Sequence, residues 1–418
     1  MIDEFLWFVG IDWATQSHRV CLLNADGRHV GERDFAHDGA GLTELRDWLL
    51  AQTQASPARI AVAIETPHGP IVEMLLEHGF RVFAINPKQL DRFRDRFTVA
   101  GAKDDSRDAH ALGSAVRTDR HAFRQLTVEN PTVIELREWS RMAEELQQER
   151  TRLANRVRQQ LWRYYPQAVE LTDDVADDWF LELWQRVPTP AAAAKATEKA
   201  IARLLQSHRI RRLDAATALS TLRRKALFVA PGTTEAACAH IRALAARLQL
   251  INRQIKDAHR ALDRLCAELE GPQESSSGQM REQRDVTILR SWPGIGRIVL
   301  ATLLTEAPEP LRRRDYHALR ALTGSAPVTR RSGKQCIVIR RHACNKRLRN
   351  AVHHWSRVAV QHDPASRHRY DALRGRGHSH ARALRGVADR LLYALCITLE
   401  RQIQYKPKEQ CPPTAVPA

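Results

Sequence analysis

The feature that most constrains the fold is an apolar run near the start of the chain that ends on a carboxylate. Leu6 to Ile11 is rich in residues that favour a buried β-strand, and Asp12 follows it directly. An unpaired carboxylate is costly to bury, so an acid here has little structural use. At the end of a core strand it can instead bind a hard cation such as Mg²⁺. We therefore predict that Asp12 lies at a sheet edge and belongs to a metal site.

The following residues predict a three-strand meander and then alternating strands and helices, the element order of an RNase H-like sheet. We expect strands at 6–12, 17–23, 28–35, 60–64 and 82–85, and helices at 42–50, at 71–77 and from Pro87. Strands joined through helices are parallel, so their carboxyl ends share one edge. Glu65 ends its strand as Asp12 ends its own, and the two acids meet if those strands are neighbours. Taken alone, Glu65 is better explained as a solvated residue that begins the loop at 66–69.

A third group of acids opens a predicted helix. Asp105 and Asp108 are three residues apart and Asp104 and Asp108 four, so either pair shares a helix face. Acids in a first helical turn also complement the helix dipole, although capping needs only one of them. Four acids brought together repel each other, and two divalent cations relieve that repulsion in phosphoryl-transfer sites.

The charge of the chain indicates a polyanionic partner. The length of 418 residues and the hydrophobic content of 43% are enough for two or three domains with cores. The net charge of +17 favours nucleic acid as the partner. The seven cysteines are scattered, without zinc-ligand spacing, and their odd number argues against a disulfide framework. No apolar run reaches the length of a membrane span. We therefore expect a soluble, intracellular protein without a membrane partner.

Two long helices dominate the middle of the predicted fold. One begins at Pro131 and ends near Tyr164, with Arg150 interrupting its heptad-like apolar positions. The other keeps an unbroken three-and-four spacing of apolar residues from Ile241 to Leu269, which is typical of a coiled coil. It pairs with the first helix or with another subunit, and the pair would serve as an oligomer contact. We also expect one helix over 190–205 and a linker at 271–278.

The last third holds the strongest local charge. Residues 311–350 contain twelve Lys and Arg and one acid, so they carry +11 of the net charge, and nucleic acid would offset it. Upstream, Gly294 and Gly296 lie in a turn between helices. That turn resembles a helix-hairpin-helix, whose exposed N–H groups bind phosphate, or is an ordinary helix connection. Residues 384–403 predict a further helix, and the tail beyond Lys406 is expected to be disordered.

Ser332 lies within this basic stretch. By physical criteria alone, Ser332-Gly333 indicates a turn. A serine on a loop beside Arg330, Arg331 and Lys334 could also attack a phosphodiester, because nearby cations stabilise the charge of the transition state. Ser325 is the weaker candidate.

The ordered motifs resemble the insertion-sequence 110 family of transposases. Gly10-Ile11-Asp12, Ile64-Glu65-Thr66, Ile85-Asn86-Pro87 and the segment from Lys103 to Ala109 resemble its RuvC-like DEDD domain, and residues 286–373 resemble its second catalytic domain. The resemblance implies a tetrad of Asp12, Glu65, Asp105 and Asp108 that binds two Mg²⁺ ions, although the family usually has a neutral residue at Asp104. It also implies Ser332 as a nucleophile. Gly294, Gly296, Arg330, Arg331, Lys334, Arg340 and Arg341 are the expected nucleic-acid contacts.

This family implies a DNA transposase or recombinase of the bacterial cytoplasm, associated with the nucleoid. Donor and target double-stranded DNA would be its substrates, a structured non-coding RNA its guide, and a dimer or tetramer its assembly. We expect a RuvC-like α/β domain at 1–125, a helical coiled-coil region at 126–278, a mainly α-helical serine domain at 285–375, and a helix and tail at 376–418. The alternatives are a hydrolytic RuvC-like or junction nuclease, a sugar-kinase-type ATPase and a non-enzymatic nucleic-acid-binding protein.

Overall fold

The chain forms two compact units, residues 1–130 and 131–418. The structure, a computed structural model, describes residues 5–97, 104–127, 130–270, 281–333 and 335–407, with backbone only for 281–284. The expected linker at 271–278, Lys334 and most of the expected disordered tail lie outside the described residues. No helix among the described residues is both long enough and apolar enough to span a membrane. The predicted four-part division into domains stays a prediction.

The first unit is built on a six-stranded mixed sheet, which contains the five strands that the sequence predicts. Its strand order is β3-β2-β1-β4-β5-β6, with β1 parallel to β4, β4 parallel to β5, and the remaining pairs antiparallel. The strands are β1 (Trp7–Asp12), β2 (Ser17–Asn24), β3 (His29–Ala36), β4 (Ile60–Ile64), β5 (Arg81–Ala84) and β6 (Arg124–Gln125). The two-residue β6 at the sheet edge was not predicted, because so short a strand leaves no alternation to detect.

Four helices cover the two faces of this sheet, namely α1 (Gly39–Thr53), α2 (Pro70–Glu77), α3 (Pro87–Arg94) and α4 (Asp105–Asp119). Side chains alternate along each strand, so each strand contributes to both faces. Val9, Ile11 and Ile64 pack with α1 and α2, whereas Phe8 and Ala63 pack with α3 and α4. Alternate residues of each strand therefore determine which side chains face α4.

The second unit is mostly helical and is organised around two long helices. Its helices are α5 (Pro131–Tyr164), α6 (Pro166–Val169), α7 (Asp178–Arg186), α8 (Pro190–Lys195), α9 (Glu198–Ser207), α10 (Ala215–Leu222), α11 (Thr233–Glu270), α12 (Arg281–Arg290), α13 (Arg297–Glu306), α14 (Pro308–Arg312), α15 (Tyr316–Leu322), α16 (Lys346–His362), α17 (Pro364–Gly375) and α18 (His380–Glu400). Helices α5 and α11 pack together within the chain. The pair is antiparallel, because Glu135 contacts Arg264 and Glu149 contacts Arg247.

One predicted helix is wrong in extent. The sequence predicts a single helix over 190–205, but the structure ends α8 at Lys195 and begins α9 at Glu198. The Thr197 side chain accepts a hydrogen bond from the backbone N–H of Ala200, which caps a new helix start. The alanine-rich composition on both sides hides this break, because the break depends on one capping residue.

The end of the second unit forms a helical layer with a small hairpin. Helices α13, α16 and α18 share one apolar core, in which Trp292 and Trp355 meet edge to face with ring centroids 5.8 Å apart. Two strands, β7 (Val328–Ser332) and β8 (Gln335–Ile339), leave this layer as an antiparallel hairpin. Most hairpin residues are exposed, including Ile337 and Val338.

Candidate active site

Asp12 and Glu65 lie side by side at one edge of the sheet. Ile11 and Ile64 are register partners on the parallel strands β1 and β4; Asp12 is the last residue of β1, and Glu65 directly follows β4. Because Ile11 packs on the α1–α2 side, strand alternation directs Asp12 to the opposite side. Both acids are half-buried. The predicted meeting of these two carboxylates is therefore consistent with the strand register.

Helix α4 covers that same side through a close backbone contact with β1. A Cβ atom at Gly10 would lie 1.8 Å from the carbonyl oxygen of Ala109 and 2.4 Å from the backbone nitrogen of Gly113. Only glycine permits this approach. The contact holds the first turns of α4 above the end of β1, next to Asp12.

The acids at the start of α4 have separate structural roles. Asp104 is the N-cap residue, and its carboxylate accepts a hydrogen bond from the backbone N–H of Ser106 at 3.3 Å. Asp105 and Asp108 belong to the first helical turn; Asp105 is exposed, while Asp108 is only 2% exposed. Their spacing puts them on one face. Capping accounts for Asp104, which leaves Asp105 as the better partner for Asp108.

Asp108 forms a buried ion pair that the sequence did not indicate. The Arg94 Nε atom lies 2.6 Å from the Asp108 Oδ1 atom, and the same guanidinium is 3.0 Å from Asp91. Within the described residues, no three His, Cys, Asp or Glu side chains are close enough together to hold a metal ion. Arg94 lies on α3, so only tertiary packing brings it to Asp108.

An acid that the sequence did not single out, Glu32, anchors the same turn of α4. Glu32 on β3 accepts a bond from the Arg19 Nε atom at 2.6 Å, and Arg19 also contacts Asp34 at 2.7 Å. Burial alone would raise the pKa of Glu32, but hydrogen bonds from Ser106 and Arg19 outweigh it and lower that pKa. Glu32 therefore links β3 to the first turn of α4. The signal in the sequence was an acid on a predicted strand, which is too common to single out.

The donor set at this edge suits a hard divalent cation. Asp12, Glu65, Asp105 and Asp108 offer only carboxylate oxygens, which Mg²⁺ prefers. The register of β1 with β4 brings Asp12 and Glu65 to one edge, and the Gly10 contact brings the start of α4 to the same sheet. The Arg94 guanidinium offsets the charge of Asp108 in this structure. A cation bound through Asp108 would share that carboxylate with Arg94 or displace the guanidinium from it.

Ser332 lies at the tip of the β7–β8 hairpin and is exposed. Its register partner is Gln335, so the turn between them has two residues. Gly333 begins that turn with φ of +56°, the left-handed conformation that glycine adopts at low cost. The turn that physical criteria predict is present, and it presents the Ser332 hydroxyl to solvent.

The predicted cationic residues do not all gather at this tip. Alternation along β7 puts Arg330 on the same face as Ser332 and Arg331 on the other. Arg340 and Arg341 follow β8 at the base of the hairpin, where the Arg341 Nε atom donates to the Ala326 carbonyl at 3.3 Å. Lys334 lies outside the described residues. Among the described cations of the hairpin, Arg330 is the one that shares the strand face of Ser332.

The two glycines of the α12–α13 turn differ in their surroundings. Gly294 has φ of +91°, and a Cβ atom there would lie 3.0 Å from the carbonyl oxygen of Trp355. This glycine is needed for packing against α16. Gly296 is exposed and forms the N-cap of α13 without a side-chain cap. A phosphate contact at this turn stays a prediction.

Part of the basic stretch at 311–350 is neutralised by acids from elsewhere in the second unit. Arg314 pairs with Asp285, Arg320 with Asp389, and Arg347 with Glu144 and Glu306. Arg312 and Arg313 both contact Glu309. Counting the charge of the segment alone therefore overstates its excess. Among the described residues of the segment, most cations without an ion pair lie in or beside the hairpin.

Comparison with known sequences finds two family profiles, which match separate parts of the chain. A family profile described as "Transposase", for the DEDD domain of IS110, matches residues 9–166, and one described as "Transposase IS116/IS110/IS902 family" matches residues 286–371. A mini-circle transposase named for IS117 in Streptomyces coelicolor is 34% identical over 397 residues, 93% of each chain. The chain belongs to the IS110 family of transposases.

Other relatives differ in coverage. A transposase named y4uE from Sinorhizobium fredii is 58% identical over 216 residues, which are 51% of this chain and 60% of that relative. The chain thus spans less than two thirds of that relative's length. An IS110 insertion element protein of Streptomyces coelicolor is 26% identical over 91% of both chains.

Proposed function

We propose that this IS110 family transposase recombines DNA by joining a serine nucleophile to a metal-binding set of carboxylates. The observation that carries the proposal is the pairing, in one chain, of acids aligned at a sheet edge with an exposed serine on a cation-bearing hairpin. Taken alone, the acids could be solvated or helix-capping residues, and the serine could be an ordinary turn residue. The match of the two family profiles to these two regions supports a shared role.

Asp12, Glu65, Asp105 and Asp108 are the proposed ligands of one or two Mg²⁺ ions. A bound divalent cation would offset the charge that develops on the phosphate. The four carboxylates would orient that cation at the sheet edge, where Gly10 holds α4 in place. Arg94 would exchange Asp108 for a phosphate oxygen, because both are anions that a guanidinium binds.

The Ser332 hydroxyl would attack the phosphorus of a DNA backbone. A bond forms between the Ser332 Oγ atom and phosphorus, and the bond from phosphorus to the 3′-oxygen breaks. The serine proton leaves and the departing 3′-oxygen gains one, so a phosphoserine ester and a free 3′-hydroxyl result. A 3′-hydroxyl of a second strand then reverses the step, which conserves the ester energy without ATP. Arg330 would stabilise the transition state from the same face of β7.

The selection of DNA would be delegated to a structured RNA, and the assembly would be a dimer or tetramer. Such an assembly would let the acids of one subunit serve the serine of another. Helices α5 and α11 keep Trp162 and Leu250 exposed at 68% and 48%, which supports an oligomer contact on this helix pair.

A strand-transfer assay tests the proposal. Full-length protein is incubated with donor DNA, target DNA and RNA from the element's own end, with Mg²⁺ or with EDTA. We expect recombinant product only with Mg²⁺, and none from Asp12→Asn or Asp108→Asn at unchanged DNA affinity. Cleavage that persists in Ser332→Ala would instead identify a hydrolytic nuclease. Binding without any strand breakage in wild type would identify a non-enzymatic nucleic-acid-binding protein.

A further inference from the structure

A cavity of about 260 Å³ lies at the base of the β7–β8 hairpin. Its walls come from the loop after α15, from the first turns of α16 and from the first turns of α18. The polar lining consists mainly of Thr323, Ser325, Arg340, Arg349, His353 and Arg385. A water molecule occupies about 30 Å³, so the cavity has room for a tetrahedral oxyanion.

The cations of this cavity lack the acidic partners that neighbouring arginines have. Among the residues that the structure describes, Arg340, Arg349 and Arg385 form no ion pair, whereas nearby Arg320 binds Asp389 at 2.9 Å. Burial lowers the pKa of Arg385, and so does repulsion from Arg340 and Arg382. Burial and the charges of adjacent histidines and arginines likewise lower the pKa of His353. Positive charge gathered without compensation indicates a bound anion.

Hydroxyl groups complete the lining opposite the arginines. The Ser325 Oγ atom lies 3.0 Å from the Thr323 Oγ1 atom, and the loop is turned by Gly324 with φ of +70°. A Cβ atom at Gly324 would lie 3.0 Å from the Cys344 Sγ atom, so the loop conformation depends on glycine. Guanidinium and hydroxyl donors around one space match the oxygens of a phosphate.

The position of the cavity in the chain ties it to Ser332. Ser325 lies three residues before β7, and Arg340 directly follows β8. The four residue steps from Val328 to Ser332 then carry Ser332 roughly 14 Å beyond this base, at about 3.4 Å per residue. A phosphate in the cavity is therefore not the one that Ser332 attacks.

We propose that this cavity binds a non-scissile backbone phosphate of the DNA strand that Ser332 attacks. The cavity thereby fixes the position of that strand along the hairpin. Arg349 and Arg385 are its principal cations, Ser325 its hydroxyl donor, and all three are positioning residues. The assignment of the anion as a DNA phosphate rests on the proposed function, because the cavity lies at the base of the hairpin that carries the proposed nucleophile at its tip.

The salt dependence of DNA binding tests the cavity without any chemistry. Binding of full-length protein to a labelled DNA duplex is measured in EDTA over a range of salt. Each neutralised phosphate contributes about 0.9 to the slope of log K against log salt. We expect Arg349→Gln, Arg385→Gln and the double variant each to lower that slope by about one, since both arginines hold the same phosphate. We also expect roughly tenfold weaker binding at low salt.

The control is Arg390→Gln, which removes the same charge from another face of α18 and should leave the slope unchanged. A slope that is unchanged in Arg385→Gln overturns the proposal, as does a loss seen with an RNA duplex alone. A reduced slope in the variants, together with no strand transfer by wild type, would support the phosphate site and refute the proposed chemistry. Strand transfer by wild type, together with an unchanged slope in the variants, would support the chemistry and refute the phosphate site.

A second variant guards against misfolding. Ser325→Asp supplies an anion from within, so we expect a higher melting temperature together with weaker DNA binding. Loss of both stability and binding in this variant would contradict a cavity built for an anion.

Discussion

Gly10 determines how closely α4 can approach the sheet. The substitution Gly10→Ala would put a methyl group 1.8 Å from the Ala109 carbonyl oxygen, so the helix must move away from β1. We expect a loss of about 3 kcal/mol in the free energy of unfolding, measured by chemical denaturation. Gly39→Ala is the matched control, because nothing lies within 4 Å of its new methyl group. Equal stability of the two variants would contradict the assigned role of Gly10.

His18 makes the first unit sensitive to acid. Its side chain is fully buried, and its Nε2 atom lies 2.8 Å from the Nδ1 atom of His37. Burial, followed by repulsion from His37, lowers the pKa of His18 from 6.5 to about 4. Because the unfolded chain binds the proton more readily, the stability from neutral His18 is complete above pH 6.5. It is lost as the pH falls toward 4.

We expect the free energy of unfolding to drop by about 2 kcal/mol between pH 6.5 and 4 through this residue. The measurement compares wild type with His18→Gln across that range. The variant should be less stable at neutral pH but should show a flatter dependence on pH. An equally steep dependence in the variant would assign the acid sensitivity to other groups.

At the level of elements, the pairing of α5 and α11 includes a polar contact. Arg150 interrupts the apolar positions of α5, and the structure explains why. Its Nε atom donates to the Asn252 Oδ1 atom at 2.8 Å, while its other nitrogens reach Asp174 at 2.6 Å and Asp177 at 3.2 Å. The heptad pattern predicts an apolar seam, and a single arginine joins that seam to the loop before α7.

Arg150→Met should therefore destabilise the second unit. The substitution leaves Asp174, Asp177 and Asn252 without their shared cation, and we expect a loss of about 2 kcal/mol in a denaturant titration. Arg247→Met removes an exposed pair between the same two helices, at 3.0 Å from Glu149, and should change little. If both variants lose the same free energy of unfolding, the burial of the Arg150 contact does not account for its contribution to stability.

The element order of the first unit was predictable, whereas its tertiary ion pairs were not. Strand alternation and the parallel connections bring Asp12 and Glu65 to one sheet edge, and these follow from local patterns. Arg94 reaches Asp108 only because α3 packs beside α4, which no local pattern records. The break between α8 and α9 depends on Thr197 alone, so a composition-based prediction passes over it.

For the whole molecule, charge is distributed differently from what a count along the chain indicates. Five arginines of the basic stretch are paired with acids, several of them distant in sequence, such as Asp285 and Asp389. Among the described residues, the cations of this stretch without an ion pair include Arg330 and Arg331 on the hairpin and Arg340 and Arg349 around the cavity at its base. The sequence predicted a nucleic-acid-binding segment. Only the fold shows which of its cations form ion pairs with acids.

The proposed function requires that both units act on one phosphorus atom. Mass spectrometry of the protein–DNA complex, trapped under denaturing conditions with Mg²⁺ and then digested, measures this most directly. We predict a nucleotide adduct on the peptide that contains Ser332, absent in Ser332→Ala and in Asp108→Asn. An adduct on another residue such as Ser325, or an undiminished Ser332 adduct in Asp108→Asn, would contradict the proposal.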